Sequence, residues 1–177
     1  GYLLVGVVAA GMQAKPAVPA LLYYLLAYSF TTLGAFGVVA WISSRGDERP
    51  LVDDWAGLAQ RHPAAALAMT IFMLSLGGFP PTVGFVAKWY IFNASVQENL
   101  IALAILGVLT SVVSVFFYLR VIVMMYMTPA SATPIRVPSI PAIAAAALVV
   151  TAVIVLYLGV LPAQVMDWAA ASIGTIF

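Results

Sequence analysis

Leu76-Gly77-Gly78-Phe79-Pro80-Pro81-Thr82-Val83-Gly84-Phe85-Val86-Ala87-Lys88-Trp89-Tyr90 interrupts a nearly continuous apolar sequence with two prolines, three glycines and one lysine. Each proline removes a backbone donor, and glycine lowers the cost of non-helical dihedrals, so one apolar helix must end near Phe79 and another begin near Thr82. At about 1.5 Å per residue, Lys88 lies roughly 10 Å from either end of a helix running from about Thr82 to Val96. That is too deep for its ammonium to reach water easily along its own stem. A lysine at such a depth in a membrane is costly, and its default reading is functional.

The surrounding composition supplies the membrane. Of 177 residues, 64% are hydrophobic and 7% charged, with a mean hydropathy of +1.11, against about a quarter charged in soluble domains. The chain reads as an all-α polytopic protein of a lipid bilayer. A net charge of +1 leaves no basic stripe for nucleic acid. The absence of cysteine removes disulfides, thiolate catalysis, cysteine-ligated zinc and iron–sulfur clusters on this chain. With one histidine, His62, and no H-x-x-x-H pattern, no metal site is expected. No G-x-G-x-x-G spacing and no Ser-His-Asp or paired carboxylates occur in the apolar spans, so neither a bound cofactor nor nucleophilic catalysis is expected.

Gly1 to Met12 is apolar but only about 18 Å long as a helix, short of a hydrocarbon core of roughly 30 Å. It has no initiator Met, basic flank or cleavage site, and the chain is expected to be the back portion of a longer membrane protein. Spans follow at about Ala20 to Ile42, Ala64 to Phe79, the Lys88 helix, Leu100 to Met127 and Ala142 to Val160. With the first stub these make about six transmembrane helices. Residues 1–127, holding the Lys88 helix, form one unit; 128–141 is a proline-rich loop; 142–177 holds the last span and a tail. That tail is expected as an interfacial helix with Asp167 and Trp168 at the surface.

Ser43 to His62 is the one polar segment, and Asp53 to Leu58 is expected to form a short interfacial helix with Trp55 at headgroup level. Six alternating segments would put Lys15, Arg120 and Arg136 on one face and Arg45, Arg49 and Arg61 on the other, a tie under the positive-inside rule. All the acids would share the second face, which favours the Lys15 and Arg136 face as cytoplasmic. Arg120 is expected to snorkel toward the 128–141 loop.

Hydroxyls mark two helix faces. Tyr24, Tyr28 and Thr31 or Thr32 share one face of the second span, and Ser111, Ser114 and Tyr118 one face of the fifth. Either they glue helices together or they line a hydrated proton path, and both can hold at once. His62, before Pro63, is an interfacial histidine at a helix N-terminus or an access point for protons. The Pro80-Pro81 break is either a tight turn between two helices or the wall of a wet cavity leading to Lys88. Desolvation disfavours the charged form of a buried amine, which can then exchange a proton when its surroundings change by a few kcal/mol.

The run Met73 to Tyr90 resembles the lysine-bearing segment of the antiporter-like subunits of respiratory complex I, the proton-translocating NADH:quinone oxidoreductase, and most closely the subunit N branch. Tyr28 to Phe36 and Tyr118 to Val121 are similar to two further stretches of that branch, in the same order. The M branch usually has glutamate where Lys88 stands, and the L branch an acid where Trp89 stands. The resemblance implies the second half of a fourteen-helix fold of inverted five-helix repeats, each with a discontinuous helix, with the other charged positions upstream. It implies proton transfer through Lys88, supported by Tyr28, Thr32, Ser111, Ser114 and Tyr118, with no redox chemistry on this chain. NADH, FMN, iron–sulfur clusters and quinone would belong to other subunits, the partners would be neighbouring antiporter-like and other membrane subunits, and the location a bacterial inner (plasma) membrane. The rivals are a subunit of a related cation/proton antiporter or membrane-bound hydrogenase, a secondary transporter using Lys88 as an anion site, and a structural scaffold.

Overall fold

The structure, a computed structural model, describes residues 1–12, 17–43, 52–129 and 139–174. Its helices are α1 Tyr2–Gly11, α2 Ala17–Ile42, α3 Leu58–Arg61, α4 Pro63–Gly77, α5 Val83–Gln97, α6 Ile101–Met127, α7 Ala142–Val160 and α8 Ala163–Gly174, with a 3-10 turn at Val52–Trp55. Three of them, α2, α6 and α7, are long and apolar enough to cross a membrane alone. The chain is an integral membrane protein built of helices. Helix α2 starts earlier than expected, because Pro19 sits in its first turn, where a missing N–H has no partner to lose. Helix α4 opens on Pro63 for the same reason and ends at Gly78, whose φ of 82° is left-handed.

Every expected span is a helix, but the spans do not alternate. Ring and side-chain pairs along α2 decide this: Gly34 abuts Phe72, Thr31 bonds Ser75, Tyr23 meets Tyr90 edge to face, Ala20 packs with Ile91 and Ala17 with Ala94. As the α2 number falls, its partner's number rises through α4 and on through α5. Both helices therefore run antiparallel to α2, one beyond the other. Helix α6 repeats the pattern, with Tyr126 beside Thr70, Tyr118 beside Gly77 and Gly107 beside Phe92. So α4 and α5 are two halves of one discontinuous crossing, and the break lies inside the bundle.

That geometry corrects the face assignments. At one end, the Trp55 side, the Gly57 N–H donates to the Met124 carbonyl, and Arg120 lies 3.8 Å from Asp53, both exposed. Arg120 thus reaches the turn before α3, in a surface pair of the kind that contributes little. At the other end, the Glu98 side, Ala9, Ala17 and Ala94 cluster with Leu100. The chain leaves and re-enters the undescribed segments 44–51 and 130–138 on the Trp55 side, and 13–16 on the Glu98 side. Arg45, Arg49, Arg136 and Lys15 lie in those segments, outside the described residues, as do Asp47 and Glu48. Arg61 and Arg120, expected on opposite faces, therefore share the Trp55 side, and Glu98 is opposite Arg61. Trp55 is 6% exposed and packs in the main core with Leu58 and Met125, because the turn folds over the ends of α4 and α6 rather than lying at the headgroups. In α8, Asp167 and Trp168 are exposed, as expected.

Candidate functional site

The last four carbonyls of an α-helix have no partner within it. In α4 these belong to Leu74, Ser75, Leu76 and Gly77. The Phe79 N–H donates to Leu74 O at 2.9 Å and the Gly78 N–H to Ser75 O at 3.0 Å, a Schellman pair allowed by the left-handed Gly78. In a continuous helix Leu76 and Gly77 would accept from residues 80 and 81, and both are prolines. Lys88 takes those two places. Its Nζ donates to Leu76 O at 2.9 Å and to Gly77 O at 3.1 Å.

The ammonium thus snorkels to the break inside the protein rather than to a surface. A cation at a helix C-terminus is also favoured by the macrodipole. Lys88 is 9% exposed, and its Nζ lies 5.1 Å from the centre of the Tyr2 ring, within cation–π range. Beside it opens a cavity of about 330 Å³, walled by Tyr2, Tyr24, Tyr28, Thr31, Ser75, Gly84, Lys88 and Tyr118 among others. That is room for several waters among enough polar partners to hold them. Leu76 and Gly84, on either side of the break, line that cavity, so the break opens beside a cavity and is not a turn at a membrane surface.

The structure brings together part of the expected polar path. Tyr28 and Tyr118 line the cavity. Ser111 stands one step back and donates to the Tyr2 hydroxyl at 2.9 Å, while Ser114 donates to the Thr110 carbonyl of its own helix. Thr32 does not line the cavity, and its hydroxyl has no partner in the structure; Thr31, one residue earlier, is the threonine on the cavity face. His62 sits at the N-cap position of α4, at its far end, with no side-chain capping bond, about 22 Å from the break at 1.5 Å per residue, and is not among the cavity's walls. Sequence reasoning missed Tyr2 and Ser75. Tyr2 carried no positional signal, and Ser75 looked like any membrane serine.

The sequence pattern of the NADH:quinone oxidoreductase/Mrp antiporter transmembrane family matches residues 1–114. The chain belongs to that family. Within it, the chain is 44% identical over 174 residues to NADH-quinone oxidoreductase subunit N 1 of Sorangium cellulosum, covering 98% of this chain and 34% of that one. It is 41% identical over 176 residues to subunit N of Trichlorobacter lovleyi, covering 99% and 35%. The chain spans about a third of the length of the relatives it matches. Among solved structures of the family, a chain of respiratory complex I from Thermus thermophilus with bound aureothin superposes with a TM-score of 0.77 at 32% identity, covering 94% of this chain and 36% of that one. A chain of the Mrp complex from Dietzia sp. shares the fold, with a TM-score of 0.82 at 23% identity over 96% and 39%.

Proposed function

We propose that this chain is the later part of a subunit N-type, antiporter-like membrane subunit of a proton-translocating NADH:quinone oxidoreductase, in which Lys88 takes up and releases a proton. One observation carries the reading: the Lys88 ammonium rests on two carbonyls that proline has deprived of donors, at the wall of a hydroxyl-lined cavity. Such an amine has a stable protonated position and a hydratable space beside it into which a proton can leave. Changes of hydration or charge set up by quinone reduction elsewhere would tip that balance. NADH, FMN, iron–sulfur clusters and quinone are assigned to other subunits, and the partners are the adjoining membrane subunits. The cation/proton antiporter reading shares the family model and has a fold-level likeness to an Mrp chain behind it, while the relatives matched along nearly the whole chain are subunits N. The deciding experiment is proton flux per NADH oxidised in vesicles carrying the assembled complex with Lys88→Met; undiminished flux ends the reading.

The membrane is proposed to be a bacterial inner membrane, with the Trp55 side cytoplasmic. Among the described residues, Arg61 and Arg120 both lie on that side, Lys88 lies inside the crossing and no Lys or Arg lies on the other side, so the positive-inside rule favours the Trp55 side and reverses the orientation expected from alternating segments. Single cysteines at the exposed positions Gln97 and Arg61 test it. An impermeant thiol reagent added to whole cells should label Gln97→Cys and spare Arg61→Cys. Equal labelling would restore the alternating arrangement, and labelling of Arg61→Cys alone would invert the orientation.

A further inference from the structure

Hydroxyls in the helices of this chain mostly turn back on their own backbone. Ser29, Thr70, Ser95, Ser114 and Thr151 each donate to the carbonyl four residues earlier, the usual resting place of a helical Ser or Thr. Ser75 does not. It is 1% exposed, and its Oγ accepts the Gly84 N–H at 3.2 Å and lies 3.0 Å from Thr31 Oγ1. Thr31, on α2, is buried to the same degree.

Gly84 is the second residue of α5, one of the positions whose N–H an N-cap side chain ordinarily satisfies. The residue placed to do so, Thr82, makes no such bond; its hydroxyl donates to the Phe79 carbonyl at 2.6 Å. Ser75 therefore caps α5 from α4, while Lys88 caps α4 from α5. The two caps are reciprocal across the break. Gly84 and Lys88 are one turn apart on α5, so whatever fixes the first fixes the depth of the second against the Leu76 and Gly77 carbonyls.

We propose that Ser75, held by Thr31, is a positioning residue for Lys88, setting the register of α5 on α4 at which the ammonium meets its carbonyl pair. This rests on the reading of Lys88 as the proton carrier. The charged and titratable side chains that face Lys88 from the neighbouring helices are Tyr2 of α1, Tyr24 and Tyr28 of α2 and Tyr118 of α6; none of them bonds Ser75, which acts through backbone geometry.

The test uses the assembled complex with Ser75→Ala, Thr31→Val or Thr31→Ser. Amide hydrogen exchange at Gly84 and Phe85 reads the cap itself, and protons moved per NADH oxidised read its consequence. Ser75→Ala should speed exchange at Gly84 by about tenfold, the loss of one hydrogen bond, and lower the proton ratio at unchanged subunit content. Thr31→Val should do the same more weakly, and Thr31→Ser, which keeps the hydroxyl, should restore both. Unchanged exchange in Ser75→Ala, an unchanged proton ratio, or Thr31→Ser as damaging as Thr31→Val would each overturn the proposal. If Ser75→Ala does not assemble, the two Thr31 variants decide alone. Failure of the Lys88 reading shows separately, as full pumping by Lys88→Met with Gly84 exchange still dependent on Ser75.

Discussion

Lys88→Met in the assembled complex should leave the subunit in place and remove most redox-linked proton movement through it. A positioned proton-transfer group contributes roughly 10²–10⁴-fold to the step it serves, so flux by this route should fall close to background. Methionine keeps much of the apolar stem. Leu76, one of the two residues whose carbonyls it abandons, lines a cavity of about 330 Å³, from which water can bond the freed oxygen nearly as well as the ammonium did. Folding is therefore expected to survive while transfer fails. Lys88→Arg separates charge from proton exchange. A guanidinium supplies donors for the same carbonyls but holds its proton at any working pH, so it should assemble and pump poorly. The hydroxyls set the scale between these extremes. Ser114→Ala removes a hydroxyl that donates to the Thr110 carbonyl of its own helix and does not touch Lys88, and Tyr28→Phe alters a half-exposed ring at the cavity rim, so both should lower flux less than Lys88→Met. The measurement is protons per NADH oxidised in vesicles, with subunit content checked in each variant. A structural lysine gives the reverse order, arginine tolerated and methionine harmless or lost from the membrane.

The helices were legible in the sequence because membrane segments must satisfy their backbone internally, and only long apolar runs bounded by proline and glycine do so. The direction of α5 was not. Two prolines in succession read equally well as a surface turn or as an interruption inside the bilayer, and the choice depends on which carbonyls find partners in space. Lys88 was marked first by its depth and then by the resemblance of the segment that carries it. Its bonding partners could have been inferred, since prolines at 80 and 81 strand the carbonyls of Leu76 and Gly77 by simple helix counting. Thr31 against Thr32 could not, because adjacent residues on a helix differ by 100° and the wide apolar surface of α2 leaves its rotation open. Ser75 was invisible for another reason. Its function lies in a side chain leaving its own helix to cap a second one, and nothing in local sequence separates that from the back-bonded serines at 29, 95 and 114. Tracing the crossing also put Arg61 and Arg120, which alternating segments would separate, on the same side.

Gly84→Ala should be the most damaging small substitution at the break. A Cβ on Gly84 would fall on the Ser75 carbonyl oxygen, a backbone atom held by the Gly78 N–H and unable to swing aside. Alanine gains about 1 kcal/mol of helix propensity over glycine, but forcing an extra carbon into a packed contact costs about 1–3 kcal/mol where side chains can yield, and more where they cannot. The first turn of α5 must then move off α4, breaking the Ser75 bond and drawing Lys88, one turn along, away from its carbonyls. Gly159→Ala should act from the opposite face, since its Cβ would meet the Pro81 carbonyl and push on the break from α7. Gly107→Ala is the control, as its Cβ would meet the edge of the Phe92 ring at 2.6 Å, and a ring on a rotatable side chain can give way. Subunit content and thermal stability should drop for Gly84→Ala and Gly159→Ala and stay near wild type for Gly107→Ala. In the Gly84→Ala complexes that do assemble, protons per NADH should fall further than subunit content, because the displaced residue is the carrier. If Gly84→Ala instead matched Gly107→Ala in both readouts, α5 could not be seated on the Ser75 carbonyl, and the carbonyl pair would lose its place as the rest position of the Lys88 proton.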